Sequence, residues 1–193
     1  VASTLSGGTE ADAAEAGAGT RFANKYTQAV LNGVTGRRST VIFKSERSPV
    51  FYGDFKIAVV NTGASSVMLF KAGFCANLPG NARAGNNSAC VLWEQGVDTN
   101  FQFFLRDTTT SNSIDTGVAQ DTAWHDILIW SPDNGTTFKC ELDGVQVASS
   151  STNVPVTTTT MQAGVTFSCI GANASNTPEI RNSYQYVFEG GVP

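Results

Sequence analysis

The sequence predicts an all-β chain, an antiparallel β-sandwich preceded by an extended, short-helical N-terminal arm. Two observations carry this. From Ser39 onward the apolar residues recur with period two rather than the helical 3.6. Between the alternating runs stand Gly, Asn, Asp and Pro, the residues that tight turns require. No strand–helix alternation interrupts the pattern, so a parallel sheet is excluded.

Length and composition agree. The 193 residues suffice for one domain with a full core. Charged residues make up 15%, where about a quarter is usual; Ser, Thr, Asn and Gly take their place. The formal net charge is −4, and no basic cluster exceeds Arg37-Arg38. A phosphate-binding footprint is therefore missing, which excludes nucleic acid and anionic membrane surfaces as expected partners. No apolar run approaches the roughly 20 residues of a membrane-spanning helix. The opening VASTLSGG lacks the basic and apolar stretches of a secretory signal.

The elements follow in order. Residues 1–38 are rich in Ala, Gly, Ser and Thr. Within them Phe22, Tyr26 and Val30 recur at i, i+4 and i+8, which predicts one face of a short helix. Such a helix on a Gly-rich tether is unstable alone, so this arm is expected to dock on its own sandwich or on a neighbouring subunit, the neighbour being the preferred acceptor. Residues 39–193 form the expected sandwich. Its strands are STVIFKS, DFKIAVVN, SVMLFKAG, SACVLWE, NFQFFLRD, WHDILIW, TTFKCELD, VQVAS, MQAGVTFSC and RNSYQYVFE. They are rich in Thr, Val and Phe, as pleated strands prefer. SPDNGTT and LDGV are hairpin signals built on Asn-Gly and Asp-Gly.

Alternation assigns faces. In WHDILIW, His125, Ile127 and Ile129 share one side and Trp124, Asp126, Leu128 and Trp130 the other. In the following strand Phe138, Cys140 and Leu142 are the apolar set, and Lys139 and Glu141 the polar one. The hairpin makes these strands neighbours, so the apolar sets face the core. Of the four cysteines, Cys140 and Cys169 fall in mid-strand and read as buried thiols. Cys75 and Cys90 flank a Gly/Asn-rich loop and are the disulfide candidates. No CxxC or Cys/His cluster is present, so no metal centre is expected. Calcium is an option only through Asp98 and Asn100, without the acid-dense loop that usually binds it.

The runs DTGVAQDTAWHDILIW, TTFKCELDGVQVAS and TNVP resemble the concanavalin A-like, laminin-G-like jelly roll, in the form found in bacteriophage virion and tail-associated proteins. NSACVLWEQGVDTNFQFFLRD fits the same type, and the resemblance spans residues 39–188. It implies a structural role in a virion, at the virion surface or outside the cell. The implied partners are other copies of the chain, other virion proteins and host polysaccharide. The fold also hosts lectins, glycosidases and lyases, so it does not choose among them.

The catalytic alternatives lack their residues. ELD at 141–143 resembles the start of the E-x-D-x-x-E motif of laminarinase-like glycosidases, but the third acidic position holds Gln146, and Asp143-Gly144 is a turn. LFKAGFCAN resembles an alginate lyase strand, but no Gln-x-His is present. His125 is the only histidine. Asp126 beside it points to the opposite face and cannot orient its ring, so His125 is expected to cap the core edge and bond to backbone. The expected activity is thus non-enzymatic, with a polysaccharide-active enzyme and a free carbohydrate-binding module as alternatives. A binding face is expected at Trp130, Asp126, Lys139 and Glu141. If NFQFFLRD joins the same sheet, Gln102, Phe104, Arg106 and Trp93 are added. Aromatic rings amid convergent polar groups suit either a sugar or a protein partner.

Overall fold

A computed structural model describes residues 2–6, 8–15, 21–28, 34–39, 42–60, 66–76, 83, 85–171 and 178–190. In chain order the strands are β1 (Ala2–Ser6), β2 (Gly8–Glu15), β3 (Arg21–Gln28), β4 (Val34–Arg38), β5 (Phe43–Lys44), β6 (Val50–Val59), β7 (Ser66–Cys75) and β8 (Ser88–Glu94). They continue as β9 (Asn100–Arg106), β10 (Ser111–Ala119), β11 (His125–Trp130), β12 (Phe138–Leu142), β13 (Val145–Ser150), β14 (Thr160–Gly171), β15 (Glu179–Asn182) and β16 (Gln185–Phe188). The only helical piece among the described residues is a single 3-10 turn at Ser45–Arg47.

The strands form two antiparallel sheets. One runs β1-β4-β14-β7-β8-β9-β10, with β5 beside β14. The other runs β13-β12-β11-β6-β15-β3-β2, with β16 beside β6. The sheets face each other across one core. The second sheet contributes Phe51, Phe55 and Ile57 from β6, Ile127 and Ile129 from β11, and Phe138, Cys140 and Leu142 from β12. The first contributes Phe70, Ala72 and Phe74 from β7, Val91 and Trp93 from β8, Phe101, Phe103 and Leu105 from β9, and Val165 and Phe167 from β14. All sit at every second position, as a sheet with one face packed requires. The inward faces read from WHDILIW and TTFKCELD are those observed.

Both hairpin signals act as expected. Asp143 and Gly144 have φ of 54° and 76°, positive at both central positions of a two-residue turn between β12 and β13. Asn134 and Gly135 also have positive φ, 56° and 85°, in a turn closed by a bond from Thr136 N to Asp133 O of 3.3 Å, inside the longer connection from Trp130 to Phe138. The first is the turn whose twist matches that of the strands it joins.

The N-terminal segment differs from its expectation. Arg21–Gln28 is strand β3, not a helix, so Phe22 and Tyr26 lie on a strand; Val30 lies outside the described residues. A spacing of four fits the 3.6 period and the period of two alike, so those residues could not decide between them. The described strands of this segment pair within the chain: β4 with β14, and β3 with β15. β10 was not foreseen either. It is an edge strand with a bulge between Asp115 and Ala119 and alternates only weakly, Ile114 and Val118 being its sole large apolar residues.

Cys75 and Cys90 are not bridged; all four cysteines are free and buried. Cys75 stands opposite Ser88, whose hydroxyl lies 3.1 Å from its Sγ, and Cys90 stands opposite Gly73. The two are diagonal neighbours, about 7–8 Å apart in such a pair, beyond the Cα separation of a relaxed disulfide. Burial pushes the Cys90 thiol up to about 12 and that of Cys169 up to about 11. Thiols held protonated and shut in are unreactive. At about pH 8, a thiol-specific reagent is expected to label none of the four in native protein and all four in denaturant. Rapid labelling of the native form would place at least one cysteine at the surface.

Candidate functional site

The candidate site lies on the outward face of the second sheet. Register sets its rows. Trp130 stands beside Val50, and Val50 beside Phe188. One step along, Glu141 stands beside Leu128, Leu128 beside Tyr52, and Tyr52 beside Tyr186. Strands lie about 4.8 Å apart, so aromatic and apolar side chains cover β11, β6 and β16 continuously. Tyr186 is 61% exposed, Tyr52 40% and Phe188 39%. Surfaces seldom leave such groups open together without a partner. The rings touch: Tyr52 and Tyr184 centroids are 5.3 Å apart, and Tyr184 and Tyr186 5.8 Å. Lys139 Nζ lies 5.9 Å over the Trp130 ring.

Asp54 fixes the position of β16. Its buried carboxylate accepts from the Ser183 amide at 2.7 Å, the Tyr184 amide at 3.2 Å, the Asn182 side-chain amide at 3.2 Å and the Ser183 hydroxyl. It thereby breaks RNSYQYVFE into β15 and β16, two strands that lie end to end along β6. The register of Tyr184, Tyr186 and Phe188 on β6 starts from this corner.

A cleft of about 350 Å³ adjoins the aromatic rows, lined by Tyr52, Asp126, Leu128, Glu141, Asp143 and Gly144. Asp126 points outward, away from His125, as alternation requires. Its Oδ1 accepts from the Tyr184 hydroxyl at 2.7 Å. Burial, with bonds to Tyr52 and Asp126, pushes the Tyr184 phenol above its ordinary range. Asp143 has both oxygens engaged, Oδ1 by the Asp126 amide at 3.0 Å and Oδ2 by His125 Nδ1 at 2.9 Å. Glu141, on the opposite side of the cleft from Tyr52, accepts no side-chain bond and joins no ion pair among the described residues.

His125 is 5% exposed, packed against Phe55 and Phe101. Its bonding differs from the backbone partner expected. Nδ1 meets Asp143 Oδ2 and Nε2 meets Asp121 Oδ1 at 3.2 Å. Each carboxylate can only accept, and a neutral ring donates to one at a time. The adjacent Asp126 is linked to it indirectly, because its amide binds the carboxylate that holds the ring. The sequence could not supply these partners, since they come from a hairpin turn and a loop four residues upstream.

The remaining candidates fall elsewhere. NFQFFLRD is β9, in the other sheet, so Gln102, Phe104 and Arg106 are not part of the Trp130 face. They point outward from the first sheet, where Phe104 is buried with Leu69, Cys90 and Leu92. Trp93 turns into the core, and its indole N–H donates to Asp98 O at 2.9 Å. Asp98 is engaged by Arg83 at 2.6 and 2.8 Å and by the Glu94 amide at 2.8 Å. Asn100 donates to Asp115 at 2.9 Å. Neither is an open calcium ligand, and among the described residues no three His, Cys, Asp or Glu side chains are placed to hold a metal ion. Tyr52, Tyr184, Tyr186 and Phe188 were missed, although YQYVF carries its rings at every second position. Nothing local in that strand says which partner strand it joins.

No protein-family model and no curated protein sequence matches the chain. Solved structures do share its architecture. A carbohydrate esterase of the Shiga toxin-encoding bacteriophage phi24B aligns with a TM-score of 0.59 at 16% identity, over 98% of this chain and 90% of that one. The carbohydrate recognition domain of Emp46p, in its potassium-bound form, aligns at 0.57 and 11%, over 96% and 90%. A Shewanella oneidensis MR-1 protein of unknown function aligns at 0.63 and 16%, over 93% and 76%. At these identities the likeness concerns the fold, a lectin-like jelly-roll sandwich.

Proposed function

We propose that the protein is a non-catalytic, glycan-binding sandwich carried at the surface of a phage-like particle. The observation that carries the binding reading is the open aromatic face of β11, β6 and β16, bordered by carboxylates. Sugar rings present flat C–H faces and outward hydroxyls, and they stack on exposed rings while carboxylates accept from the hydroxyls. Two similarly folded proteins are named for carbohydrate, a recognition domain and a phage esterase, which supports this choice. The particle setting rests on the resemblance of residues 39–188 to virion domains and on the phage origin of that esterase.

A hydrolytic role has less support. Retaining glycosidases place two free carboxyls about 5–5.5 Å apart. Here Asp143 is a turn residue at positive φ, with both oxygens bonded inside the protein. That leaves Glu141 without a catalytic partner on its strand.

A glycan array with intact protein and with Trp130→Ala and Tyr52→Ala tests the reading. Each substitution is expected to weaken binding about tenfold or more while changing stability by less than about 1–2 kcal/mol. Failure of the intact protein to bind any polysaccharide would sink the proposal. In a particle component, sedimentation should also give a multiple of the chain mass.

A further inference from the structure

Resting on that glycan-binding reading, we infer that the cleft beside Tyr52 takes a primary ammonium group, so that the face prefers aminated sugars to N-acetylated or acidic ones. Three carboxylates line the cleft, and among the described residues no Lys or Arg does. Two of them are committed in different degrees. Asp143 spends both oxygens on His125 and the Asp126 amide, whereas Asp126 spends one on the Tyr184 hydroxyl. The second oxygen of Asp126 and the whole Glu141 carboxylate accept nothing among the described residues.

Lys139 could have neutralised Glu141. It lies two residues before it on the same face of β12, but its Nζ is over Trp130 instead. Glu141 is therefore left as an anion at the wall of a cleft whose other wall is the exposed ring of Tyr52. An ammonium has three donors and no acceptor. It can reach Glu141 and Asp126 while presenting charge to the ring face, which attracts cations. A hydroxyl would satisfy one carboxylate and leave the other facing it. A uronate or sialate carboxyl would add a fourth negative charge.

The test titrates the intact protein at about pH 6, where an aliphatic amine is charged, with four probes. These are glucosamine oligomers, the same oligomers N-acetylated, galacturonate oligomers and oligolysine. Glucosamine oligomers are expected to bind about tenfold tighter than the acetylated ones, and galacturonate oligomers weakest. Raising salt is expected to narrow the gap. In Glu141→Gln, a nearly isosteric change at a half-buried position, the preference should shrink to within about twofold. Equal binding of the two glucosamine series overturns the ammonium site and leaves the glycan reading standing. Preference retained in Glu141→Gln also overturns it. Oligolysine binding as tight as the aminated sugar overturns the sugar assignment, and no binding of any sugar overturns both readings.

Discussion

Phe55→Ala is expected to remove about 3–5 kcal/mol of stability, enough to lower the melting temperature by about 6–20 °C in a chain of this size. Phe55 is fully buried at the centre of β6. Its ring centroid lies 4.6 Å from that of Phe70 and 5.2 Å from that of Phe101, both on the opposing sheet, and 5.5 Å from His125. Truncation therefore opens a cavity where the two sheets meet, and beside the ring that Asp121 and Asp143 hold. Neighbouring strands keep the cavity from collapsing, because each is pinned by its ladder. Phe188→Ala serves as the control. It removes a ring of the same size from the outward face and should cost less than about 1 kcal/mol. Urea melts of both variants decide the matter. A loss below about 1 kcal/mol for Phe55→Ala would mean that the sheets do not close on this ring.

Asp54→Ala is the second large effect, from the residue next along the chain but on the other face. One buried carboxylate serves two backbone amides, one side-chain amide and one hydroxyl. Each orphaned buried donor costs about 1–3 kcal/mol, so the variant should lose about 3 kcal/mol or more. It should also lose glycan binding in excess of its unfolded fraction, because Tyr184 and Tyr186 start from this corner. Asp54→Asn keeps the shape but turns one acceptor into a donor that faces other donors. Its loss should be smaller, and its binding should fall in parallel. If Asp54→Ala melts like the unaltered protein, the corner is held by the backbone pairing of β6 with β15 and β16 alone.

These two neighbours show what the sequence could and could not convey. The alternation that sends Phe55 inward and Asp54 outward is local, and it is readable residue by residue. So are the inward sets of β11 and β12, the two positive-φ turns and the outward pointing of Asp126. Partnership is not local. Nothing in YQYVF specifies that it lies along β6, and nothing in NFQFFLRD specifies which sheet it joins. The binding face was consequently drawn with Phe104 and without Tyr52. The Phe22–Tyr26 spacing failed for another reason, since it fits both periods. Asp143 was legible as a turn residue, but its grip on His125 depends on two elements meeting in space.

Alternation also bears on how such a face could diversify. Positions 52, 128, 130, 139, 141, 186 and 188 present their side chains to solvent or to one another, while positions 51, 55, 127, 129, 138, 140 and 142 build the interior. Outward display and interior packing are thus written on interleaved letters of the same strands. A library randomised only at the first set would sample new specificities against a nearly constant folding background, and the same partition would let a lineage change its target in single steps without passing through unfolded intermediates.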